Sequence, residues 1–298
     1  MARAYLHYDV FTESPLLGNQ LAVFTDARGL SSELMQRMAN EMNFAESTFI
    51  LPAERPDTSV RMRIFTPHIE MPMAGHPTIG STFALAHTGV IASGTTRFVF
   101  GLNIGPVPVD LEWHGDELRF AWMTQQRPVF SAPIEPAVAA AAIGLTPADL
   151  VADVPVQMVS CGVPYVLILL RDRETVDRAV CDLAGFKRLC DRCGAETAVF
   201  LFCVTPDGAD TVYSRMFAPG HGVAEDPATG SASGPLGCYL VEHGLIHRDA
   251  QRHITSRQGV AMGRASRIHV AIEGTPGAIS DVKVGGQAVL VGSGELLV

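Results

Sequence analysis

Two short stretches of this chain combine a glycine turn with residues that can hold an anion or carry a proton. The first is Glu70-Met71-Pro72-Met73-Ala74-Gly75-His76-Pro77-Thr78, and the second is Glu225-Asp226-Pro227-Ala228-Thr229-Gly230-Ser231-Ala232-Ser233. Each leads into an apolar segment that reads as a helix and stops at a glycine, Gly89 or Gly244. The first N–H groups of a helix lack intrahelical acceptors and carry partial positive charge, so a helix start favours an anion. Gly75 and His76 supply those groups in one stretch, Gly230 and Ser231 in the other, and glycine lets a ligand approach the backbone closely. One such turn is usually only a strand–helix connection. Two matched copies point to a shared site for a small carboxylate.

Three side chains can do proton chemistry near such a site. Glu46 opens a strand-like segment, Ala45 to Leu51, among Met42, Phe44 and Phe49. A carboxyl in apolar surroundings has a raised pKa and exchanges protons near neutrality; the alternative is a solvated glutamate following a helix. His76, beside Gly75, can hydrogen-bond a substrate and relay a proton. Asp226, held extended by Pro227, can orient a substrate or a general acid, or cap its own turn.

Other chemistries fit less well. Gly75 to Thr82 differs from a P-loop by a serine in place of the lysine, and Pro77 removes an N–H from the cradle. Gly292-Ser293-Gly294 has too little chain after it for a dinucleotide fold. Gly230-Ser231-Ala232-Ser233-Gly234 has alanine where a hydrolase elbow needs its nucleophile. No metal site is expected: Gly244 interrupts the helical spacing of His243 and His247, His221 has no histidine partner nearby, and Cys190-x-x-Cys193 lacks a second pair. The cysteines read as reduced thiols in or near the core.

The elements that must position these residues form a repeat. Arg63-Ile64-Phe65-Thr66-Pro67 matches Arg215-Met216-Phe217-Ala218-Pro219, and Ala45-Glu46-Ser47 matches Ala195-Glu196-Thr197. Gly18-Asn19-Gln20-Leu21-Ala22-Val23 matches Gly162-Val163-Pro164-Tyr165-Val166-Leu167. Glu70 to Ile91 aligns without gaps to Glu225 to Ile246, with Glu70/Glu225, Pro72/Pro227, Gly75/Gly230, Leu85/Leu240, Gly89/Gly244 and Ile91/Ile246 identical. Pro77 suits the first helical position of a helix over Thr78 to Thr88. Ser31 and Ser32 suit the cap of an earlier helix that carries Leu34, Met35, Met38 and Met42 on one face. Gln125 to Pro136 reads as a linker. Strand patterns over 97–100, 107–112 and 117–122 in the first half, and 253–256, 268–272 and 288–291 in the second, complete an α+β pattern with a substantial helix in each half.

Composition sets the frame. The chain has 298 residues, 47% of them apolar and 18% charged, which suits a globular fold with ample core. A formal charge of −9 disfavours nucleic acid and anionic membranes as partners. The N-terminus lacks the apolar stretch of a signal peptide, and no apolar run spans a bilayer, so a cytoplasmic location is expected.

In its ordered motifs the chain resembles the phenazine-biosynthesis PhzF-like isomerase family, which shares the diaminopimelate epimerase fold. The motifs are Asp9-Val10-Phe11 with Gly18-Asn19, Asn43-Phe44-Ala45-Glu46-Ser47, Arg63 to Pro67, Ala74 to Thr78, and Glu225 to Ala232. The resemblance implies two pseudo-symmetric lobes, each a mostly antiparallel sheet wrapped around a central helix, with the site in the cleft. The lobes are expected at 1–127 and 128–298, the last strand crossing to the first lobe. A homodimer and no cofactor are implied. Glu46 matches the family's acid/base glutamate, His76 and Asp226 its supporting residues, and Gly75, Gly230 and Ser231 the turns that hold substrate. Gln20 stands where the family often has proline. Related racemases carry a cysteine at the positions of Ala74 and Thr229, which are not thiols here. The expected reaction is therefore a proton and double-bond shift on a small, cyclic amino- or hydroxycarboxylate. The alternatives are a racemase with other bases and a non-catalytic carboxylate binder.

Overall fold

The computed structural model describes residues 2–194, 196–205, 211–247, 249, 251 and 253–298. The first half contains β1 (Ala2–Val10), β2 (Asn19–Phe24), α1 (Ser32–Met42), β3 (Glu46–Leu51), β4 (Val60–Phe65), β5 (Glu70–Met71), α2 (Gly75–His87), β6 (Arg97–Leu102), β7 (Gly105–His114), β8 (Glu117–Thr124) and β9 (Val129–Ile134). The second contains α3 (Pro136–Ala142), β10 (Val156–Ser160), β11 (Pro164–Leu169), α4 (Arg173–Arg178), α5 (Leu183–Cys193), β12 (Ala198–Val204) and β13 (Val212–Ala218). It continues with β14 (Val223–Asp226), α6 (Gly230–Glu242), β15 (Ile254–Gln258), β16 (Ser266–Thr275), β17 (Ala278–Gly286) and β18 (Ala288–Leu297).

The pairings repeat. β2 runs parallel to β3 across α1, as β11 does to β12 across α4 and α5. β4 pairs in parallel with β6, and β13 with β15. The meander β6-β7-β8 has its counterpart in β15-β16-β17. The halves then exchange strands: β18 pairs with β1, and β9 pairs with β10. β8 and β17 join the two sheets directly. The fold is thus α+β, with two pseudo-symmetric lobes and mostly antiparallel pairing.

Each sheet wraps one helix. Every residue from Gly75 to Leu85 of α2 is buried, as is every residue from Gly230 to Val241 of α6. A helix enclosed on all sides must be apolar or small all round, and these two are rich in Gly, Ala, Ser and Thr. Their hydroxyls bond back to the preceding turn: Thr78 Oγ1 donates to the Ala74 carbonyl at 2.8 Å, and Ser233 Oγ to the Thr229 carbonyl at 2.9 Å. The outer helices are amphipathic instead, α1 burying Met35, Met38 and Ala39, and α5 burying Phe186 and Leu189.

Two matched ion pairs anchor the turns that precede the central helices. Arg63 binds Glu70 through Nε at 2.8 Å and Nη2 at 2.6 Å. Arg215 binds Glu225 through the same two nitrogens, each at 2.8 Å. Such forked pairs fix geometry as well as charge. They clamp β4 to β5 and β13 to β14, and so set where each helix begins.

Two sequence expectations shift, and one strand is new. α2 starts at Gly75, not at Pro77; proline is tolerated because the N–H groups of a first turn have no intrahelical acceptor. The 125–136 segment contains β9, which pairs with β10 rather than serving only as a linker. β17 was not read from sequence, because its buried residues Ile279 and Val282 lie three apart and break the alternation of a strand. The matched Ala195 lies outside the described residues. All six cysteines are free thiols, with Cys161, Cys203 and Cys238 buried. Among the described residues, no helix is long and apolar enough to cross a membrane.

Candidate active site

The two central helices meet end to end. A Cβ on Gly75 would lie 2.4 Å from the Ser231 amide nitrogen and 2.5 Å from the Gly230 carbonyl carbon. Only glycine permits this contact. It brings two helix starts, each carrying partial positive charge, against one another. Such an arrangement is repulsive by itself and is relieved by an anion bound beside the contact. The first turns of the two helices, Gly75-His76 and Gly230-Ser231, meet at this junction. A cleft of about 710 Å³, counting its open mouth, adjoins it and is lined by Glu46, Met73, His76, Tyr165, Asp226 and Ser231 among others.

Glu46 reaches the cleft because α1 ends on Asn43 in the left-handed conformation, φ 51°, which turns the chain into β3. Glu46 is the first residue of β3 and pairs with Leu21 of β2. Its Oε2 lies 3.4 Å from His76 Nε2, and the two side chains are only 16% and 4% exposed. Neither atom has a hydrogen-bond partner. Buried polar atoms without partners are rare and mark places where something else is bound or moved.

Asp226 is fixed from both lobes. Its Oδ1 accepts from Asn19 Nδ2 at 2.8 Å, and its Oδ2 accepts from Thr229 Oγ1 at 2.5 Å. Asn19 Nδ2 also lies 3.0 Å from the Ala228 carbonyl and 3.1 Å from His76 Nδ1. Asn19 thus bridges His76 of one lobe and Asp226 of the other, donating to the imidazole when its proton sits on Nε2. Gln258 fixes the turn from behind: Nε2 donates to the Asp226 carbonyl at 2.7 Å and to Thr229 Oγ1 at 2.9 Å, while Oε1 accepts from the Thr229 amide at 3.0 Å. Gln258→Leu orphans these buried groups. We expect it to lower stability by about 1–3 kcal/mol in denaturant titration and to weaken activity by releasing Asp226.

Burial governs the charges. Burial, and then the negative charge of Asp226, push the Glu46 carboxyl well above the ordinary value of 4.5. Asp226 is also raised, by burial first, with hydrogen bonds from Thr229 and Asn19 opposing the shift. Burial pulls His76 down to about 3, against an opposing hydrogen bond to the Gln20 backbone. The close Glu46–His76 contact therefore pairs a carboxyl poised to hold its proton with a neutral imidazole; it is not an ion pair. The sign for stability follows. A raised carboxyl stabilises the fold fully below its unfolded pKa, and this contribution is lost as pH rises through the folded value. Glu46→Gln removes that loss. Its melting temperature should exceed that of the wild type at pH 8, with the gain disappearing at pH 4; a gain that grew toward acid would contradict the assignment. The depressed His76 acts in the opposite sense, its contribution present above 6.5 and lost as pH falls toward 3.

Glu46, His76, Asp226, Gly75, Gly230 and Ser231 all line the one cleft. Asn19, Tyr165 and Gln258 were not singled out from sequence as site residues. Asn19 and Tyr165 had a signal: the internal alignment sets Asn19 against Val163, and Tyr165 against Leu21, a polar residue against an apolar one each time. Ala74 and Thr229 are the residues before α2 and α6, and the Thr229 hydroxyl is committed to Asp226. Glu196, the counterpart of Glu46, also lines the cleft but is exposed.

Fold and site together define the class: a two-lobed α+β scaffold whose paired helix starts close around a cleft with a buried carboxyl on one side. The family model described as phenazine biosynthesis-like protein matches residues 8–294, and the chain belongs to this family. It is 37% identical over 302 residues to an uncharacterized isomerase of Mesorhizobium japonicum, covering 99% of each chain. It is 36% identical over 298 residues to the trans-2,3-dihydro-3-hydroxyanthranilate isomerase of Pseudomonas aeruginosa, covering 98% of each. The solved PhzF-family structure from Bacillus anthracis superposes over all of both chains with a TM-score of 0.87 at 27% identity. The chain is an isomerase of this family.

Proposed function

We propose that this isomerase shifts a proton and a double bond on a small, cyclic amino- or hydroxycarboxylate, without a cofactor, by acid/base catalysis at Glu46. The observation that carries the reading is the one-sided base. Glu46 lines the cleft and its Oε2 is buried without a hydrogen-bond partner, while its counterpart Glu196 is exposed to solvent.

In this mechanism the helix starts at Gly75/His76 and Gly230/Ser231 hold the substrate carboxylate. Glu46, as carboxylate, takes a proton from an activated carbon. The C–H electron pair enters the conjugated system, and the double bond moves. The Glu46 carboxylic acid then returns the proton to a second carbon on the same face. A carboxyl with a raised pKa is suited to both halves of this exchange. His76 and Asp226, coupled through Asn19, hold the amine or hydroxyl of the substrate.

A racemase needs a base on each face of the carbon. Ala74 has no ionisable group, and the Thr229 hydroxyl already donates to Asp226, so the paired turns offer neither base. The named relative acts on trans-2,3-dihydro-3-hydroxyanthranilate, a cyclic, unsaturated aminocarboxylate of the proposed class. The test is proton NMR of the purified protein with that compound and with a panel of enantiopure amino acids. Migration of the double bond with the amino acids unchanged supports the reading. Inversion of an amino acid, with no migration, would overturn it.

A further inference from the structure

The wall of the cleft that Glu46 lines also carries the hydroxyl of Tyr165, a residue outside the family motifs. Tyr165 of β11 and Ser231 of α6 place their oxygens 2.6 Å apart, and both residues line the cleft. Each residue is only 6% exposed. Neither hydroxyl has another hydrogen-bond partner among the described residues. Two hydroxyls own two protons, and their mutual bond uses one. One O–H is therefore left without an acceptor at the wall of a buried cleft. A pair serving only the core would direct both protons to protein acceptors.

The direction of the shared bond follows from acidity. Either oxygen can donate; a phenol is a better donor than an alcohol, which favours Tyr165 donating to Ser231 Oγ. The serine proton is then free to point into the cleft beside the first N–H groups of α6. A hydroxyl that accepts one bond becomes a stronger donor of the next. Burial raises the phenol pKa; the bond to Ser231 opposes this, and the charges of Asp226 and Glu46 add to it. Tyr165 thus stays protonated and acts as a donor rather than a base.

We propose that Tyr165 and Ser231 form a two-hydroxyl relay that donates a hydrogen bond to an oxygen of the bound carboxylate substrate, Ser231 touching the substrate and Tyr165 positioning and polarising Ser231. The proposal rests on the carboxylate reading of the helix starts. As a proton leaves the substrate, negative charge spreads onto its carboxylate oxygens, and a preorganised donor gains strength at that moment. The relay also explains why the second lobe has tyrosine where the first has Leu21. The proton carrier lies on the first lobe, and the anion-stabilising hydroxyls lie on the second.

The experiment is a double-mutant cycle of wild type, Tyr165→Phe, Ser231→Ala and the double variant. It reads kcat and KM for trans-2,3-dihydro-3-hydroxyanthranilate, the dissociation constant of anthranilate by calorimetry, and the melting temperature of each protein. Tyr165→Phe should lower kcat by about tenfold, as loss of a residue that orients a contacting group does. Ser231→Ala should lower it by about 10²-fold. The double variant should match Ser231→Ala, because Tyr165 acts only through the serine. Losses that multiply, or an unaffected Tyr165→Phe, would overturn the relay while leaving the isomerase reading intact. Should the wild type bind anthranilate but fail to isomerise the test compound, the isomerase reading for that substrate fails, and the binding cycle judges the relay by the same non-additivity. A wild type that binds no carboxylate would overturn both.

Discussion

Glu46→Gln should fold and lose isomerase activity by about 10³–10⁴-fold, the upper range for removing a general acid/base. The substitution keeps the size of the side chain and its place at the start of β3. It removes the group proposed to accept and return the proton. Incorporation of solvent deuterium into turned-over substrate, followed by mass spectrometry, should be abolished with it. The neighbouring groups cannot substitute. His76 is held neutral with its pKa near 3, too weak a base for a carbon acid, and Asp226 is tied by Asn19 and Thr229. Because ionising the buried glutamate costs stability, the same variant should be the more stable protein at pH 8. A protein that gains stability and loses turnover bears the mark of a functional group rather than a structural one. Exchange at the wild-type rate would remove Glu46 from the mechanism.

Gly75→Ala carries the second large effect. The added methyl would sit 2.4 Å from the Ser231 nitrogen, 2.5 Å from the Gly230 carbonyl carbon and 2.6 Å from the Gly230 Cα. These are backbone atoms and cannot rotate aside. The helix starts must move apart, at a cost of about 1–3 kcal/mol for overpacking. The same separation moves the N–H groups proposed to hold the carboxylate away from Glu46. A misplacement of about 1 Å costs roughly 10²-fold in rate. Steady-state kinetics and thermal melting should show both losses together. Near-normal kcat/KM would mean that contact between the helix starts is not needed for catalysis.

The internal repeat made the frame legible and also separated frame from chemistry. Positions that stay identical between the halves build the scaffold. Arg63 and Arg215 clamp Glu70 and Glu225, and Gly75 and Gly230 allow the helix starts to touch. Positions that differ carry the polar groups in and behind the cleft. Asp226 stands opposite Met71, His76 opposite Ser231, Asn19 opposite Val163 and Tyr165 opposite Leu21. Glu46 and Glu196 are the instructive exception. Their sequences match, yet only Glu46 is shielded from water, since burial depends on the whole cleft and not on the local motif. The Asn19–Asp226 bond joins residues 207 apart in sequence, and no local pattern could announce it. The register of β17 was hidden by its broken alternation. The start of α2 was misplaced because proline is accepted anywhere in the first turn.

The central claim is that one base, on one side of the substrate, takes a proton from one carbon and returns it to another. Turnover of trans-2,3-dihydro-3-hydroxyanthranilate in deuterium oxide, with the product examined by NMR for the position and face of the label, tests it most directly. The account predicts hydrogen delivered to a newly saturated carbon on a single face, as deuterium where the Glu46 proton has exchanged with solvent before its return, with no epimer of the starting material formed. Deuterium returned to the original carbon with inverted configuration would require a second base across the cleft and would contradict the account.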